Sequence, residues 1–134
     1  PCHAGTKQRF IVIEEAKKVG VRNFILTHPN WNVTKMTLEQ QVEISRLGAY
    51  IGLFAYGDIP NFNNPNCDPL YLLECIKTVG PDHCVIASDL GTVINVPPVE
   101  GLKLFVRILL ASGLSKADIR KMCVDNPKRL LGLS

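Results

Sequence analysis

Short apolar runs alternate along the chain with longer stretches in which apolar residues recur at helical spacing. The short runs lie at Phe24–Thr27, Ala49–Ala55 and Cys84–Ser88, and Pro1–Gly5 has the pattern of a strand end. Runs of this length are typical of buried strands rather than buried helices. The predicted order is therefore (β)α-βα-βα-βαα, and such alternation predicts an α/β protein with a parallel sheet and right-handed crossovers.

Local start and stop signals bound the predicted helices. Thr37 with Gln40 forms a capping-box pattern, and Asp68 followed by Pro69 is a typical N-cap and first helical residue. Gly20 follows the first helical stretch at the position that favours left-handed backbone. The predicted helices cover residues 6–19, 37–48, 68–80, 99–112, 115–124 and 126–132, with a loop rich in Asn and Pro at 56–68.

Two of the predicted strands are followed by residues of types that commonly bind metals. His28 follows the strand at Phe24–Thr27, and Asp89 follows the strand at Cys84–Ser88. Because the carboxyl ends of parallel strands share one edge of a sheet, we expect His28 and Asp89 on the same rim, where α/β proteins hold ligands and metals. Two simpler interpretations stay open. His28 could simply terminate its strand and hydrogen-bond a loop, without binding a metal. Asp89 could simply cap the turn at Gly91.

Length and composition limit the classes of protein that fit. The chain has 134 residues, of which 46% are hydrophobic and 20% charged, as expected for one globular domain covering residues 1–134. The net charge of +3 is spread along the chain, so nucleic acid and membrane surfaces are not expected partners. No apolar stretch is long enough for a membrane span, and no signal peptide is recognised.

Cysteine usage bears on the compartment and on zinc. The five cysteines are an odd number and form no C-x-x-C pair. We therefore expect reduced thiols in a cytoplasmic protein, without a cysteine-based zinc site.

Four motifs in a fixed order carry a resemblance to a known superfamily. They are Cys2-His3-Ala4-Gly5, Leu26-Thr27-His28-Pro29, Ala87-Ser88-Asp89-Leu90-Gly91 and the tail from Asn126 to Leu133. Together they resemble the C-terminal half of an amidohydrolase-superfamily β/α barrel, and the chain looks most like a small, poorly characterised branch of those metal-dependent hydrolases. The resemblance covers essentially the whole chain.

The resemblance implies a fold and a metal site. The fold would be parallel β/α units forming about half of a TIM-like (β/α)8 barrel. His3 and His28 would be neutral imidazole ligands of a divalent metal at the C-terminal rim. Asp89 would be a third ligand and the catalytic acceptor of a proton from water. Zinc is the expected metal, with manganese and iron as alternatives, and Asn30 and Trp31 are expected to bind substrate.

The implied reaction is hydrolysis of an amide, ester or lactone-like bond in a small molecule by metal-activated water. The superfamily's His-x-His and its Lys or Glu belong to strands that have no counterpart in this sequence, and Gly52 stands where the branch carries Glu. We therefore expect the chain to be inactive by itself. It would pair with an N-terminal half of the barrel or self-associate into an oligomer.

Two other classes of protein remain open. The chain could be a non-catalytic domain that keeps the barrel fold without the full ligand set. It could also be a small doubly wound α/β binding domain, with helices on both faces of an open sheet. No Gly-rich phosphate loop is present, and His and Asp at strand ends favour a metal over a phosphate.

Overall fold

The computed structural model describes residues 6–31, 34–60 and 68–133. The predicted strand end at Pro1–Gly5 lies outside these residues. The strands are β1 (Phe24–Thr27), β2 (Ala49–Phe54) and β3 (Cys84–Ala87). The α-helices are α1 (Thr6–Lys18), α2 (Leu38–Arg46), α3 (Ala55–Asp58), α4 (Pro69–Val79), α5 (Pro98–Ala111), α6 (Lys116–Arg120) and α7 (Asn126–Leu130), with a 3-10 turn at Pro81–His83 and a π-helical turn at Lys121–Asp125.

The three strands form one parallel sheet in the order β1-β2-β3. Leu26 is paired with Ile51, and Ile51 with Cys84, so one row of side chains crosses the whole sheet. The α/β class and the parallel β/α units predicted from the sequence are confirmed. The strand order follows the order of the chain, and α2 and α4 supply the crossovers.

The predicted helix starts are confirmed at α2 and α4. The Thr37 hydroxyl accepts the backbone N–H of Gln40 at 3.3 Å, and the Gln40 side chain accepts the backbone N–H of Thr37 at 3.0 Å. The Asp68 carboxylate accepts the N–H of Leu70 at 2.9 Å, at the start of α4. These bonds satisfy N–H groups that the first helical turn leaves without partners.

The structure differs from the prediction in two places. The stretch expected to begin a loop at Tyr56 instead forms α3, because the Asp58 carboxylate accepts the backbone N–H of Phe54 at 2.7 Å and closes the turn. The last two predicted helices are joined by the π-helical turn. That turn brings Asn126 to the amino end of β3, where its amide donates to the carbonyls of Pro81 and Cys84 at 2.8 and 2.7 Å.

The hydrophobic core lies on one face of the sheet. Leu26, Ile51, Leu53, Cys84 and Ile86 point to this face and pack with buried residues of α2, α4 and α5. The opposite face carries side chains that alternate with these and lie outside the core cluster, namely Ile25, Thr27, Tyr50, Phe54, Val85 and Ala87. Four of these six are only half-buried, Thr27 and Val85 being the exceptions. The sheet thus has one covered face and one thinly covered apolar face.

The cysteines at 75, 84 and 123 are free thiols, and Cys2 and Cys67 lie outside the described residues. Burial raises the pKa of the Cys75 thiol to about 11 and that of Cys84 to about 12, so both stay protonated at neutral pH. In the part of the chain that the structure describes, no helix is long and apolar enough to cross a membrane.

Candidate functional site

His28 and Asp89 meet at the carboxyl ends of β1 and β3. Nε2 of His28 lies 2.9 Å from Oδ2 of Asp89, which is hydrogen-bonding distance. The imidazole is nearly buried, with 5% of its side chain exposed, whereas 49% of the Asp89 side chain is exposed. The structure therefore brings together the two strand-end residues of the sequence analysis, with the carboxylate on the solvent side of the imidazole.

The two residues also share an unusual backbone conformation. His28 has a φ of 51° and Asp89 a φ of 53°, and no other described residue except glycine has a positive φ. Residues other than glycine rarely adopt this left-handed backbone region. Their Cβ atom is crowded there, and the conformation costs about 1–3 kcal/mol. Strain of this kind persists where surrounding contacts hold it, and it gathers at functional sites. Here it falls on both members of one pair.

Aromatic rings surround the His28 imidazole. Its ring centroid lies 5.0 Å from that of Phe54, 5.8 Å from that of Trp31 and 6.4 Å from that of Tyr56. Trp31 and Tyr56 also contact each other edge to face, at 6.3 Å. These rings shield the imidazole from water and fix its orientation, so that Nε2 is directed at Asp89.

Hydrogen bonds hold the backbone on both sides of the pair. The Thr34 hydroxyl donates to the carbonyl of His28, and the buried guanidinium of Arg9 donates to the carbonyl of Thr27 at 3.1 Å. The backbone N–H of Tyr56 donates to the carbonyl of Ser88 at 3.1 Å, which ties the segment after β2 to the end of β3. The loops that carry His28 and Asp89 are therefore fixed to the sheet edge.

A second carboxylate, Asp58, lies buried behind this rim. Its two oxygens accept the backbone N–H of Phe54 at 2.7 Å and the side-chain amide of Asn30 at 3.0 Å. The Asn30 carbonyl oxygen in turn accepts from the amide of Gln41 at 3.0 Å and from the thiol of Cys75 at 3.4 Å. Burial raises the pKa of Asp58 to about 7, and the hydrogen bonds that Asp58 accepts from Asn30 and Phe54 lower it by less.

Arg9 and Asp58 were not predicted from the sequence to lie at this site. Arg9 is fully buried although it lies in a predicted helix with charged neighbours, and Asp58 lies in a stretch predicted to be loop. Arg9 bonds to Thr27, 18 residues away, and Asp58 bonds to Asn30, 28 residues away. No local pattern signals such contacts.

The other predicted site residues have different outcomes. His3 lies outside the described residues. Trp31 stands at the rim beside His28, whereas both polar ends of the Asn30 side chain are directed into the buried network. A contact of either residue with substrate stays a prediction.

His28 and Asp89 provide one nitrogen and one oxygen donor for a metal. Imidazole nitrogen and carboxylate oxygen are the donor types that zinc, manganese and iron accept, and the two atoms converge on the same side of the rim. Within residues 6–31, 34–60 and 68–133, no group of three or more His, Cys, Asp or Glu side chains could hold a metal ion. The pair fits part of a metal site and needs at least one further ligand.

Residues 1–52 match a family described as "Family of unknown function (DUF6282)". The matched segment includes His28, ends within β2 and leaves out Asp89. It covers less than half of the chain. The chain matches no curated protein and no solved structure.

Proposed function

We propose that this chain is part of a metal-dependent hydrolase of the amidohydrolase type. Its rim would hold a divalent metal through His28, Asp89 and His3, with zinc as the first candidate and manganese or iron as alternatives. The observation that supports this proposal is the 2.9 Å approach of His28 Nε2 to Asp89 Oδ2 between two strained strand ends. The substrate would be a small molecule with an amide, ester or lactone-like bond.

The Asp89 carboxylate is exposed to solvent and the His28 imidazole is buried behind it. This arrangement bears on the chemistry of the pair. In a nucleophile–His–Asp triad the imidazole faces the nucleophile and the carboxylate lies behind it. Here the half-exposed carboxylate of Asp89 is the group that solvent and substrate reach, and His28 lies behind it. This arrangement suits Asp89 as the proton acceptor and His28 as a fixed neutral donor of electrons from Nε2.

A divalent metal bound here would polarise water and lower its pKa towards neutrality. Asp89 would then accept the proton of that water and deliver it to the leaving group. Without a metal, Nε2 of His28 lies within hydrogen-bonding distance of the Asp89 carboxylate, whereas with a metal bound Nε2 would ligate the metal instead. The ring of Trp31 beside His28 offers an apolar wall to a substrate. The described residues supply two ligands, so we expect His3 to complete metal binding by this chain. Catalysis would need further residues from outside the chain.

The architecture supports a half-barrel as the setting of this site. A TIM-like barrel has its strands in chain order and its helices on one face, whereas a doubly wound sheet reverses its strand order and has helices on both faces. The order β1-β2-β3 and the one-sided core agree with the barrel pattern. The thinly covered face around Tyr50 and Phe54 would line the barrel interior, against an N-terminal half or a second copy.

A second candidate is a non-catalytic domain that self-associates. The observations that favour it are the same apolar sheet face and the group of exposed apolar residues before and along α5, namely Val93, Ile94, Val96, Val99 and Leu104. Exposed apolar surface of this kind marks interaction sites. The two candidates differ in whether the rim binds a metal.

Metal content tests the proposal directly. The chain would be purified without chelator and analysed by elemental analysis, together with His28→Ala and Asp89→Ala. We expect stoichiometric zinc, manganese or iron in the parent protein and loss of that metal in both variants. A folded parent protein that stays metal-free, also after incubation with each ion, would rule out the metal site and leave the non-catalytic candidate.

His83→Ala and Asp82→Ala provide matched controls, because they remove the same two side-chain types at the opposite end of β3. Both side chains are exposed there. Metal content should be unchanged in both. Loss of metal in the controls as well would show adventitious binding to surface residues rather than a site at the rim.

A further inference from the structure

Asp58 connects the two segments that hold His28. One carboxylate oxygen accepts from Asn30, in the loop after β1, and the other accepts from the backbone of Phe54, at the end of β2. A single buried side chain thus cross-links neighbouring strand ends. Each oxygen serves one segment.

Both cross-linked segments contact the His28 imidazole. Phe54 packs against it with centroids 5.0 Å apart, and Tyr56 in the first turn of α3 lies at 6.4 Å. On the other side, Asn30 is two residues from His28 and one from Trp31, whose ring lies 5.8 Å from the imidazole. A shift of either segment would therefore move aromatic rings that pack against the His28 imidazole.

The network has a fixed direction of hydrogen bonding. The Asn30 amide must donate to Asp58, because its carbonyl oxygen accepts from Gln41 and Cys75. In its ionised form Asp58 accepts at both oxygens, and both of its partners are N–H donors. A carboxylate meets this requirement, whereas an asparagine has only one acceptor oxygen.

The burial of Asp58 costs free energy. The residue is 4% exposed, and no ion pair between described residues includes it. Burying a carboxylate without a cation costs free energy, which its two hydrogen bonds offset in part. Buried polar groups of this kind at a strand-end rim are candidates for a role at the site.

We propose that Asp58 is a positioning residue for the His28–Asp89 site, because its carboxylate clamps the loop after β1 to the segment after β2. The inference deepens the proposed function and rests on it for what the site binds. The clamp itself rests only on the contacts above. Asp58 acts through Asn30 and Phe54 and contacts neither metal nor substrate.

Asp58→Asn tests the clamp with two readouts. Trp31 is the single tryptophan of the chain, so its fluorescence reports on the rim without any metal. Zinc affinity, measured by titration calorimetry with zinc chloride, reports on ligand geometry. We expect Asp58→Asn to shift the Trp31 emission and to weaken zinc binding about tenfold or more, as substitutions behind metal ligands do.

Asn126→Ala is the matched control, because it removes another buried hydrogen-bonding side chain at the opposite end of the sheet. It should leave both readouts unchanged. Wild-type emission and affinity in folded Asp58→Asn would overturn the clamp, as would equal changes in both variants.

Two further outcomes are separable. If Asp58→Asn does not fold, Asn30→Ala removes the same contact from the other side and should give the same emission shift; wild-type emission in that variant overturns the clamp. If the parent protein binds no zinc, the proposed function fails, and the Trp31 emission alone decides for or against the clamp.

Discussion

Gly57 lies directly against the imidazole of His28. A Cβ atom on Gly57 would stand 3.1 Å from Nδ1 of His28 and 3.9 Å from Cβ of Trp31. The first distance is tighter than ordinary van der Waals contact, so the absence of a side chain in α3 lets the imidazole occupy its position beside Asp89.

Gly57→Ala should therefore disturb the site more than the fold. The added methyl group pushes His28 by a few tenths of an ångström, while alanine favours the helical backbone of α3 by up to about 1 kcal/mol. We expect an altered Trp31 emission and weaker metal binding, with a free energy of unfolding within about 1 kcal/mol of wild type. Fluorescence and urea denaturation measure the two effects.

Gly91→Ala controls for the substitution itself, since no heavy atom lies within 4 Å of a Cβ at that position. It should change neither the Trp31 emission nor metal binding. Identical emission spectra for Gly57→Ala and wild type would contradict the close packing of Gly57 on His28.

Three substitutions at Asp89 separate its backbone from its carboxylate. Asp89 has a φ of 53°, which glycine adopts freely, asparagine tolerates and alanine resists. We expect Asp89→Gly to be more stable than Asp89→Ala by about 1 kcal/mol, with Asp89→Asn between them. All three should lose metal affinity. Equal unfolding free energies for the Gly and Ala variants would show that the conformation is not strained.

The pH dependence of stability should reveal Asp58. Burial raises its pKa from an ordinary value of 3.8 to about 7, so the folded protein holds this proton more tightly than the unfolded chain does. Protonation of Asp58 therefore contributes its full stabilisation to the folded protein below pH 3.8, and this contribution is lost as the pH rises towards 7. Over that window the loss is on the order of 4 kcal/mol.

Comparison with Asp58→Asn isolates this effect from other titrating groups. The neighbouring Cys75 has its pKa raised to about 11 and stays neutral over the same range. Urea denaturation at several pH values should show the stability difference between wild type and Asp58→Asn falling between pH 4 and 7. Parallel stability curves would show that Asp58 does not titrate there.

Asn126 stabilises the opposite end of the sheet. Its buried amide donates to the carbonyls of Pro81 and Cys84, and Asn126→Ala leaves both acceptors without that donor. We expect a loss of about 1–3 kcal/mol in the free energy of unfolding, measured by urea denaturation. Asn95→Ala is the control, because the Asn95 amide donates to the Thr92 hydroxyl at the surface, and the substitution should cost about 0.5 kcal/mol or less.

Local patterns allowed the strands and most helix boundaries to be predicted. Short apolar runs mark β1, β2 and β3, and the caps at Thr37 and Asp68 involve residues two or three positions apart. The meeting of His28 and Asp89 also follows from the pattern, because parallel strands bring their carboxyl ends to one edge. Their roles as metal ligands stay predictions.

Most of what the sequence did not predict depends on contacts between distant residues. Asp58 is buried because Asn30 reaches it from another loop. The exception is α3, where Asp58 bonds back to Phe54 four residues earlier. Arg9 is buried by its bond to Thr27, which no helical pattern indicates. For Asp58 and Arg9, tertiary contacts override local preference.

The three polar residues at and behind the rim come from three different strand ends. His28 follows β1, Asp58 follows β2 and Asp89 follows β3, so each β/α unit contributes one side chain. Local unfolding of any one unit would therefore dismantle the arrangement. A ligand held at the rim should slow amide hydrogen exchange in all three strands together, since its binding energy stabilises only the conformation in which they are packed.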